Sequence, residues 1–211
     1  MTLKLNGSSS GYTAIDAPAS AGSNTLVLPA DNGSADEVLK TDGSGNLDWV
    51  AQPSSGLSMA DSWVITSNLT ESSAADVTAN WARHSAGSSL VGSIGSAMTE
   101  SSGIFTFPET GIYAITITFN CKSTSGARSY IGVRQYISSN SGGAYTKLSS
   151  DYTHAYDADA HFVCGSTILV DVTSASTFRY KCDVEPSSTV IYFGNTANKN
   201  SGVTFIKIGD T

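Results

Sequence analysis

The chain has 211 residues and a formal net charge of −7, and 14% of its residues are charged while 40% are hydrophobic. No cluster of basic residues is visible, so a nucleic-acid partner is not expected. No apolar run approaches ~18 residues, so we expect no membrane span, and the polar N-terminus lacks the apolar core of a secretion signal. The abundance of Ser, Thr, Gly and Asn favours many short strands with solvated turns over amphipathic helices.

Residues 1–57 contain very short apolar stretches separated by Gly, Pro and Asn. The clearest element is a hairpin in which residues 38–41 and 46–50 flank a Gly-rich turn. Ordering a residue costs roughly 1–2 kcal/mol, and strands this short cannot bury a core of their own. We therefore expect this segment to be ordered only against other copies or another protein, as an assembly module. Residues 52–57 are the predicted linker to the rest of the chain.

The strongest structural signal in the sequence is the stretch 103–121, which reads as strand, tight turn and long strand. Pro108 and Gly111 bracket the turn, because Pro fixes φ and Gly tolerates positive φ. Apolar residues then alternate with polar ones over one long strand, a period of two that is typical of a half-buried strand. This pattern predicts a core hairpin or a corner of an antiparallel sheet.

Further strands are predicted around residues 62–66, 129–137, 145–148, 161–164, 167–172, 178–184, 189–193 and 203–208. Eight to ten strands with no helix predict an all-β fold, a β-sandwich or jelly roll spanning residues 58–211. The three cysteines, Cys121, Cys164 and Cys182, lack metal-type spacing. They are interpreted as small buried side chains of a protein folded in a reducing cytoplasm, with a disulfide between two of them as the alternative.

Residues 103–113, GIFTFPETGIY, resemble the strand–turn–strand pattern G-x-F-x-x-P-x-x-G-x-Y of the C1q/tumour-necrosis-factor family. Residues 165–172, GSTILVDV, and the closing strand 201–205, SGVTF, are similar to two further strands of that family. Ser166 stands where Asp is usual, and no Gly precedes Phe205. The resemblance implies a trimeric jelly-roll domain over residues 58–211.

Residues 12–19, 23–29 and 38–50 resemble segments of bacteriophage tail fibres and related virion proteins. Together the two resemblances imply a homotrimeric virion protein made in the bacterial cytoplasm. Residues 1–57 would trimerise and attach to another virion protein, and the C1q-like knob would bind the host surface, with a polysaccharide as the expected ligand. One alternative is a capsid decoration or head-fibre protein that stabilises the head, and another is a secreted bacterial C1q-like lectin. No Gly-x-Ser-x-Gly motif is present, and an enzyme is not expected.

In the resembled family both termini lie at the stalk end, which implies that the loop before the last strand is at the distal tip. The candidate glycan-binding residues of this loop are Asn195, Asn198, Lys199 and Asn200, with a plain turn as the alternative. Five tyrosines could serve the core, the trimer interface or stacking on sugar rings: Tyr130, Tyr136, Tyr145, Tyr152 and Tyr156. The candidate core or trimer-interface anchors are Trp81, Tyr113, Phe119, Tyr180, Tyr192 and Phe205.

One cluster of titratable residues lies between Asp151 and His161. If this stretch were extended, Asp157, Asp159 and His161 would share a face. The two carboxylates could hold Ca²⁺, and the nearby His could suit a transition metal. The alternative is a solvated acidic loop, since Ca²⁺ normally takes six to eight oxygen ligands. No other cofactor is expected.

Overall fold

The computed structural model describes residues 3–52, 56–84, 92–196 and 198–211. The chain divides into two compact units, Met1–Ser55 and Gly56–Thr211. Residues 53–55 of the predicted linker lie outside the described residues. Every regular element in the described ranges is a β-strand. Accordingly, these ranges hold no helix with the length and apolar character that crossing a membrane requires.

The first unit contains two separate hairpins. Strand β1 (Leu3–Asn6) pairs with β2 (Tyr12–Ile15), and β3 (Glu37–Thr41) pairs with β4 (Leu47–Ala51). The second hairpin is the predicted one. Its turn is closed by Asp42, whose carboxylate accepts hydrogen bonds from the backbone N–H groups of Ser44 at 2.7 Å and Asn46 at 3.1 Å. Such local bonds let a turn form without a core beneath it.

The described residues of the second unit form fourteen strands. Their bounds are β5 (Met59–Ile65), β6 (Leu69–Glu71), β7 (Ala75–Asp76), β8 (Trp81–Arg83), β9 (Ser93–Ile94), β10 (Thr99–Ser101), β11 (Ile104–Thr106), β12 (Gly111–Ser123), β13 (Arg128–Ser138), β14 (Thr146–Ala155), β15 (His161–Val172), β16 (Arg179–Pro186), β17 (Val190–Tyr192) and β18 (Ser201–Gly209).

These strands form two antiparallel sheets. The larger sheet has the order β6-β17-β12-β18-β5-β8, with β15 paired to β12 and β9 paired to β5. The smaller sheet has the order β10-β11-β16-β13-β14, with β7 paired to β16. Apolar residues from both sheets form one buried core. The architecture is therefore the predicted all-β sandwich, in which strands adjacent in space are mostly distant in sequence.

The stretch 103–121 is a corner between the two sheets. Strand β11 pairs with β10 and β16, whereas β12 pairs with β15, β17 and β18, so the turn at Pro108–Gly111 carries the chain from one sheet to the other. Gly111 has φ of 146°, and a Cβ there would lie 2.3 Å from Cε of Lys207 and 2.7 Å from O of Gly209. Only glycine fits this corner, because the closing strand passes directly over it.

Aromatic side chains fill the core beside this corner. The ring of Phe205 lies 5.2 Å from those of Phe105 and Tyr180 and 6.2 Å from that of Phe107, measured between centroids. The Tyr180 hydroxyl donates to Oε1 of Gln135 at 3.1 Å, which satisfies its polar end inside the core. Phe205 and Phe105 come from opposite sheets, so this cluster joins them.

All three cysteines are buried and free. The pKa of Cys164 is raised by its contact with Cys121 and by burial. Buried, protonated thiols are poor nucleophiles, which agrees with the interpretation of these residues as small core side chains.

The predicted strands 161–164 and 167–172 are one continuous strand, β15. Gly165 and Ser166 separate the two in the sequence pattern, yet a Cβ at Gly165 would lie 2.3 Å from O of Ile117. The glycine therefore lets β15 approach β12 closely instead of ending the strand. Strand β14 also runs on to Ala155, beyond the predicted end at residue 148.

We expect Phe205→Ala to lower the free energy of unfolding by about 3–5 kcal/mol, because it leaves a cavity between three aromatic rings. Urea unfolding followed by fluorescence measures this. Ile208→Ala, on the same strand but 53% exposed, is the matched control and should cost less than about 1 kcal/mol. Equal losses for the two variants would contradict the assignment of this cluster as the centre of the core.

Candidate functional site

The second unit has two distinct ends, which we call the base and the tip. Strands β5 and β18 are antiparallel, with Met59 beside Lys207 and Val64 beside Gly202. The first and last strands of the unit therefore begin and end at the base. The loop that precedes β18, residues 193–200, lies at the opposite end, which is the tip.

The four candidate residues of the tip loop have different environments. The backbone N–H of Asn195 donates to O of Ile65 at 2.7 Å, which anchors the loop to β5. Asn198 is exposed, whereas Asn200 is half-buried. Ala197, which precedes Asn198, is outside the described residues. Of the four, Asn198 is the residue with an exposed side chain at the tip.

Lys199 does not present a free amine at the tip. Its Nζ folds back onto the larger sheet, where it donates to Oγ of Ser62 at 3.1 Å and contacts Oγ1 of Thr204. Burial lowers the pKa of Lys199 from 10.5 to about 8, since desolvation disfavours the charged form. Its predicted role as an exposed glycan contact does not fit this position.

A shallow tip pocket of about 360 Å³ lies beside the loop. The ring of His161 stacks on that of Phe193, with centroids 5.0 Å apart and an interplanar angle of 13°. The lining is completed by Asn120, Phe162, Val163 and Asn200. No pattern in the sequence indicates this pocket, because its residues come from separate strand ends.

The predicted calcium ligands are not arranged as a metal site. Asp159 lies in a turn with φ of 59°, not in an extended strand, and its Oδ1 pairs with Nζ of Lys122 at 2.8 Å. The hydrogen bond from Lys122 lowers the pKa of Asp159. Asp157 accepts a local hydrogen bond from the N–H of Ala158. In the described part of the chain, no group of three or more His, Cys, Asp or Glu side chains could hold a metal ion.

The aromatic candidates lie in the core of a single chain. Trp81 is half-buried, and its Nε1 donates to O of Val77 at 2.9 Å. A fully buried side chain cannot also contact a second copy. The five fully buried candidates are Tyr113, Phe119, Tyr180, Tyr192 and Phe205.

On the side of the larger sheet that faces away from the core, three consecutive rows of paired residues contain no charged residue, although Val64 and Gly202 of the third row are buried. The central row carries four hydroxyl groups, and those of Thr116 and Thr167 lie 2.8 Å apart. Lys199 covers the Ser62 end of this row. The rows are Ala60–Ile206–Ala114–Leu169, Ser62–Thr204–Thr116–Thr167 and Val64–Gly202–Thr118–Gly165.

The solvent face of the smaller sheet carries charges and aromatic rings instead. The Arg134 guanidinium donates to both oxygens of Asp183, at 2.7 and 2.5 Å, and its Nη1 lies 2.6 Å from Oε2 of Glu185. Tyr136 donates its hydroxyl to Asp183 at 3.0 Å. Burial is the largest cause and this hydrogen bond the second largest of a rise in the pKa of Tyr136 to about 12. The sequence pattern places Tyr136 and Arg134 on one face but does not reveal their acidic partners on β16.

Two tyrosines and a glutamate line a second pocket on this face, which is open to solvent and has a volume of about 320 Å³. The rings of Tyr130 and Tyr152 are perpendicular, with centroids 5.9 Å apart. The Tyr152 hydroxyl donates to Oε2 of Glu185, and this bond raises the pKa of Tyr152. We call this group the tyrosine pocket.

No protein-family model and no curated protein sequence matches this chain. Among solved structures, Eiger TNF from S. frugiperda superposes with a TM-score of 0.53 at 13% identity, covering 72% of this chain and 93% of that one. Murine APRIL at pH 8.5 gives a TM-score of 0.46 at 13% identity, covering 71% and 98%. The second unit has a TNF-like jelly-roll fold. The fold implied by the stretch 103–113 is thus confirmed, while the likeness to virion fibres stays a prediction.

Lys199 makes the stability of this TNF-like unit pH-dependent. Its pKa is about 8 in the folded protein, against 10.5 for a lysine in water, as in the unfolded chain. Between these values the unfolded state binds more protons, so the contribution of Lys199 to stability rises as pH increases from about 8 to 10.5. We expect Lys199→Met to stabilise the protein at pH 7 by about 1 kcal/mol, since the amine keeps some water contact.

Urea unfolding at several pH values between 7 and 10.5 measures this effect. The advantage of the Met variant should shrink towards zero at the upper limit. Lys147→Met, at an exposed position on β14, is the control and should show no such trend. A constant difference across the range would contradict the assignment to Lys199.

Proposed function

We propose that the protein is a homotrimeric structural component of a bacteriophage virion. The first unit attaches it to another virion protein, and the TNF-like unit forms a knob that binds polysaccharide on the host surface. The main support is a contrast between the two units. The described residues of the first unit include no buried residue, whereas the second unit has a large core.

The first unit leaves most of its apolar side chains in water. Leu3, Leu5 and Ile15 are more than half exposed, and Leu26 and Leu28 are 65% and 71% exposed. Apolar side chains concentrated in so short a segment favour burial against a partner. Both hairpins are also two-stranded, and isolated two-stranded hairpins are marginally stable in water. These features support an attachment role.

The uncharged face of the larger sheet supports self-association. Interfaces between proteins are depleted of charge at their centre, and small side chains let two sheets approach closely. This face is four strands wide, and its three central rows contain no charged residue of their own; the amine of Lys199 contacts them at the Ser62 end of the middle row. Packing it against other copies leaves the charged, aromatic face of the smaller sheet outward. Three copies would then bind a repetitive surface ligand multivalently.

A head-fibre or capsid decoration protein is the nearest alternative, since the same architecture would serve there. Mixing the purified protein with isolated tails and isolated capsids distinguishes the two locations by co-sedimentation. Binding to neither particle would reject the virion assignment and favour a lectin.

We expect the double substitution Leu26→Asp and Leu28→Asp to reduce attachment to the virion at least tenfold. Two charges in the contact would have to be desolvated when the partner covers this segment. Co-sedimentation of the full-length protein with virions that lack it measures the loss. Ser20→Asp, an exposed change in the same unit, should attach normally. Normal attachment of the double variant would reject this surface as the contact.

We expect Thr116→Arg to convert the trimer into a monomer, because it places a long cation at the centre of the uncharged face. Light scattering at micromolar concentration measures the mass. Thr173→Arg, the same substitution in an exposed turn at the base, should remain trimeric. A monomeric mass for the unmodified protein would overturn the trimer itself, and a trimeric Thr116→Arg variant would overturn the choice of face.

A further inference from the structure

The tyrosine pocket is built along one row of the smaller sheet. Gly132 pairs with Tyr152 on one side and with Glu185 on the other. A Cβ at Gly132 would lie 2.3 Å from Cδ1 of Tyr152, so the Tyr152 ring occupies the space that a side chain would fill. The glycine therefore makes room for the ring, and the backbone of three neighbouring strands fixes where the ring and the carboxylate stand.

The two rings of the pocket remain available to a ligand. Tyr130 is 41% exposed and Tyr152 is 46% exposed. Because the rings are perpendicular, they form a corner rather than a closed stack. In the tip pocket, by contrast, Phe193 is covered by the stacked ring of His161. An open corner of two tyrosines suits a small ring that has apolar C–H faces and a polar rim, since tyrosine offers both kinds of contact.

The charges around the pocket are balanced by their own neighbours. Arg134 Nη1 lies 2.6 Å from Oε2 of Glu185, and the same guanidinium is bidentate on Asp183. A cationic ligand would meet a carboxylate that is already paired. An anionic ligand would face two carboxylates beside an arginine that already pairs with both of them. The electrostatics therefore favour a neutral ligand.

Glu185 can still accept hydrogen bonds from such a ligand. Both of its contacts, from Tyr152 and from Arg134, use the same oxygen, Oε2. An ionised carboxylate has about four acceptor sites on two oxygens, so Oε1 can take a hydroxyl group. The pocket volume of about 320 Å³ is at the lower end of the range for small-ligand sites, roughly 300–1,000 Å³.

We propose that the tyrosine pocket binds one ring of a neutral saccharide, stacked against Tyr130 and Tyr152 and hydrogen-bonded to Glu185. This inference rests on the proposed function as a host-surface binder, and it moves the ligand contact from the tip loop to the outward face of the smaller sheet. In a trimer the three pockets would face outward, where a polysaccharide could engage more than one of them.

The full-length protein is tested against a fixed set of immobilised probes. The neutral probes are oligosaccharides of glucose, galactose and mannose, and sialyllactose and tetramethylammonium are the anionic and cationic probes. We expect binding to at least one neutral oligosaccharide and no binding to the charged probes. Tyr152→Ala and Glu185→Gln should each weaken that binding about tenfold or more.

Lys147→Ala is the matched control, because Lys147 is exposed on β14, the strand that carries Tyr152, and is not among the residues that line the pocket. It should bind as the unmodified protein does. Tyr152→Phe keeps the ring but loses the contact with Glu185, so it should weaken binding less than Tyr152→Ala. Thermal unfolding of each variant verifies the fold, and if Tyr152→Ala does not fold, Glu185→Gln decides.

Unchanged neutral-sugar binding by both Tyr152→Ala and Glu185→Gln would overturn the proposal. Binding only to a charged probe, or to no probe, would also overturn it. These outcomes leave the virion assignment intact, because attachment through the first unit is measured separately by co-sedimentation. Failure of attachment together with normal sugar binding would reject the virion role and keep the site.

Discussion

The contact of Phe205 with Phe105 and Tyr180 is the constraint on which the rest of the second unit depends. These rings come from three strands and both sheets, and their centroids lie 5.2 to 5.9 Å apart. Once they are buried together, the period of two along each strand decides which side chains point outward. A shift of one residue in β18 would exchange Phe205 for Thr204 in the core and turn the apolar side chains of that strand towards solvent.

The two outer faces that this core determines differ in charge and in the kind of side chain they carry. On the larger sheet, the three central rows are made of apolar and hydroxyl-bearing residues, and the amine of Lys199 contacts the Ser62 end of the middle row. On the smaller sheet, the side chains of Arg134 and Asp183 are only 13% and 8% exposed. Such a desolvated pair adds little net stability, but its bidentate geometry holds neighbouring groups in one arrangement. The network around Arg134 therefore contributes order to Tyr152 and Glu185 rather than folding energy.

Local sequence patterns allow much of this fold to be predicted. The features that they miss depend on contacts between strands that are far apart in the sequence. Pro108, Gly111 and the alternation in β12 are sufficient for the corner, and alternation in β13 places Tyr130 and Arg134 on one face. Tyr152 and Glu185 meet across a sequence separation of 33 residues, a register that neither strand encodes alone. The inward turn of Lys199 and the pairing of Asp159 with Lys122 escape prediction for the same reason, since their partners lie on other strands.

The two units also differ in the interactions that stabilise their strands. The second unit orders its strands by burying its own core, whereas the first has hairpins closed by local bonds such as those of Asp42. Because ordering each residue costs roughly 1–2 kcal/mol, the proposed partner surface would have to supply most of the stable order of the first unit. Attachment and ordering would then be one event, and the free energy left for attachment would be correspondingly small. In the proposed trimer, three such segments would bind with far greater avidity than one.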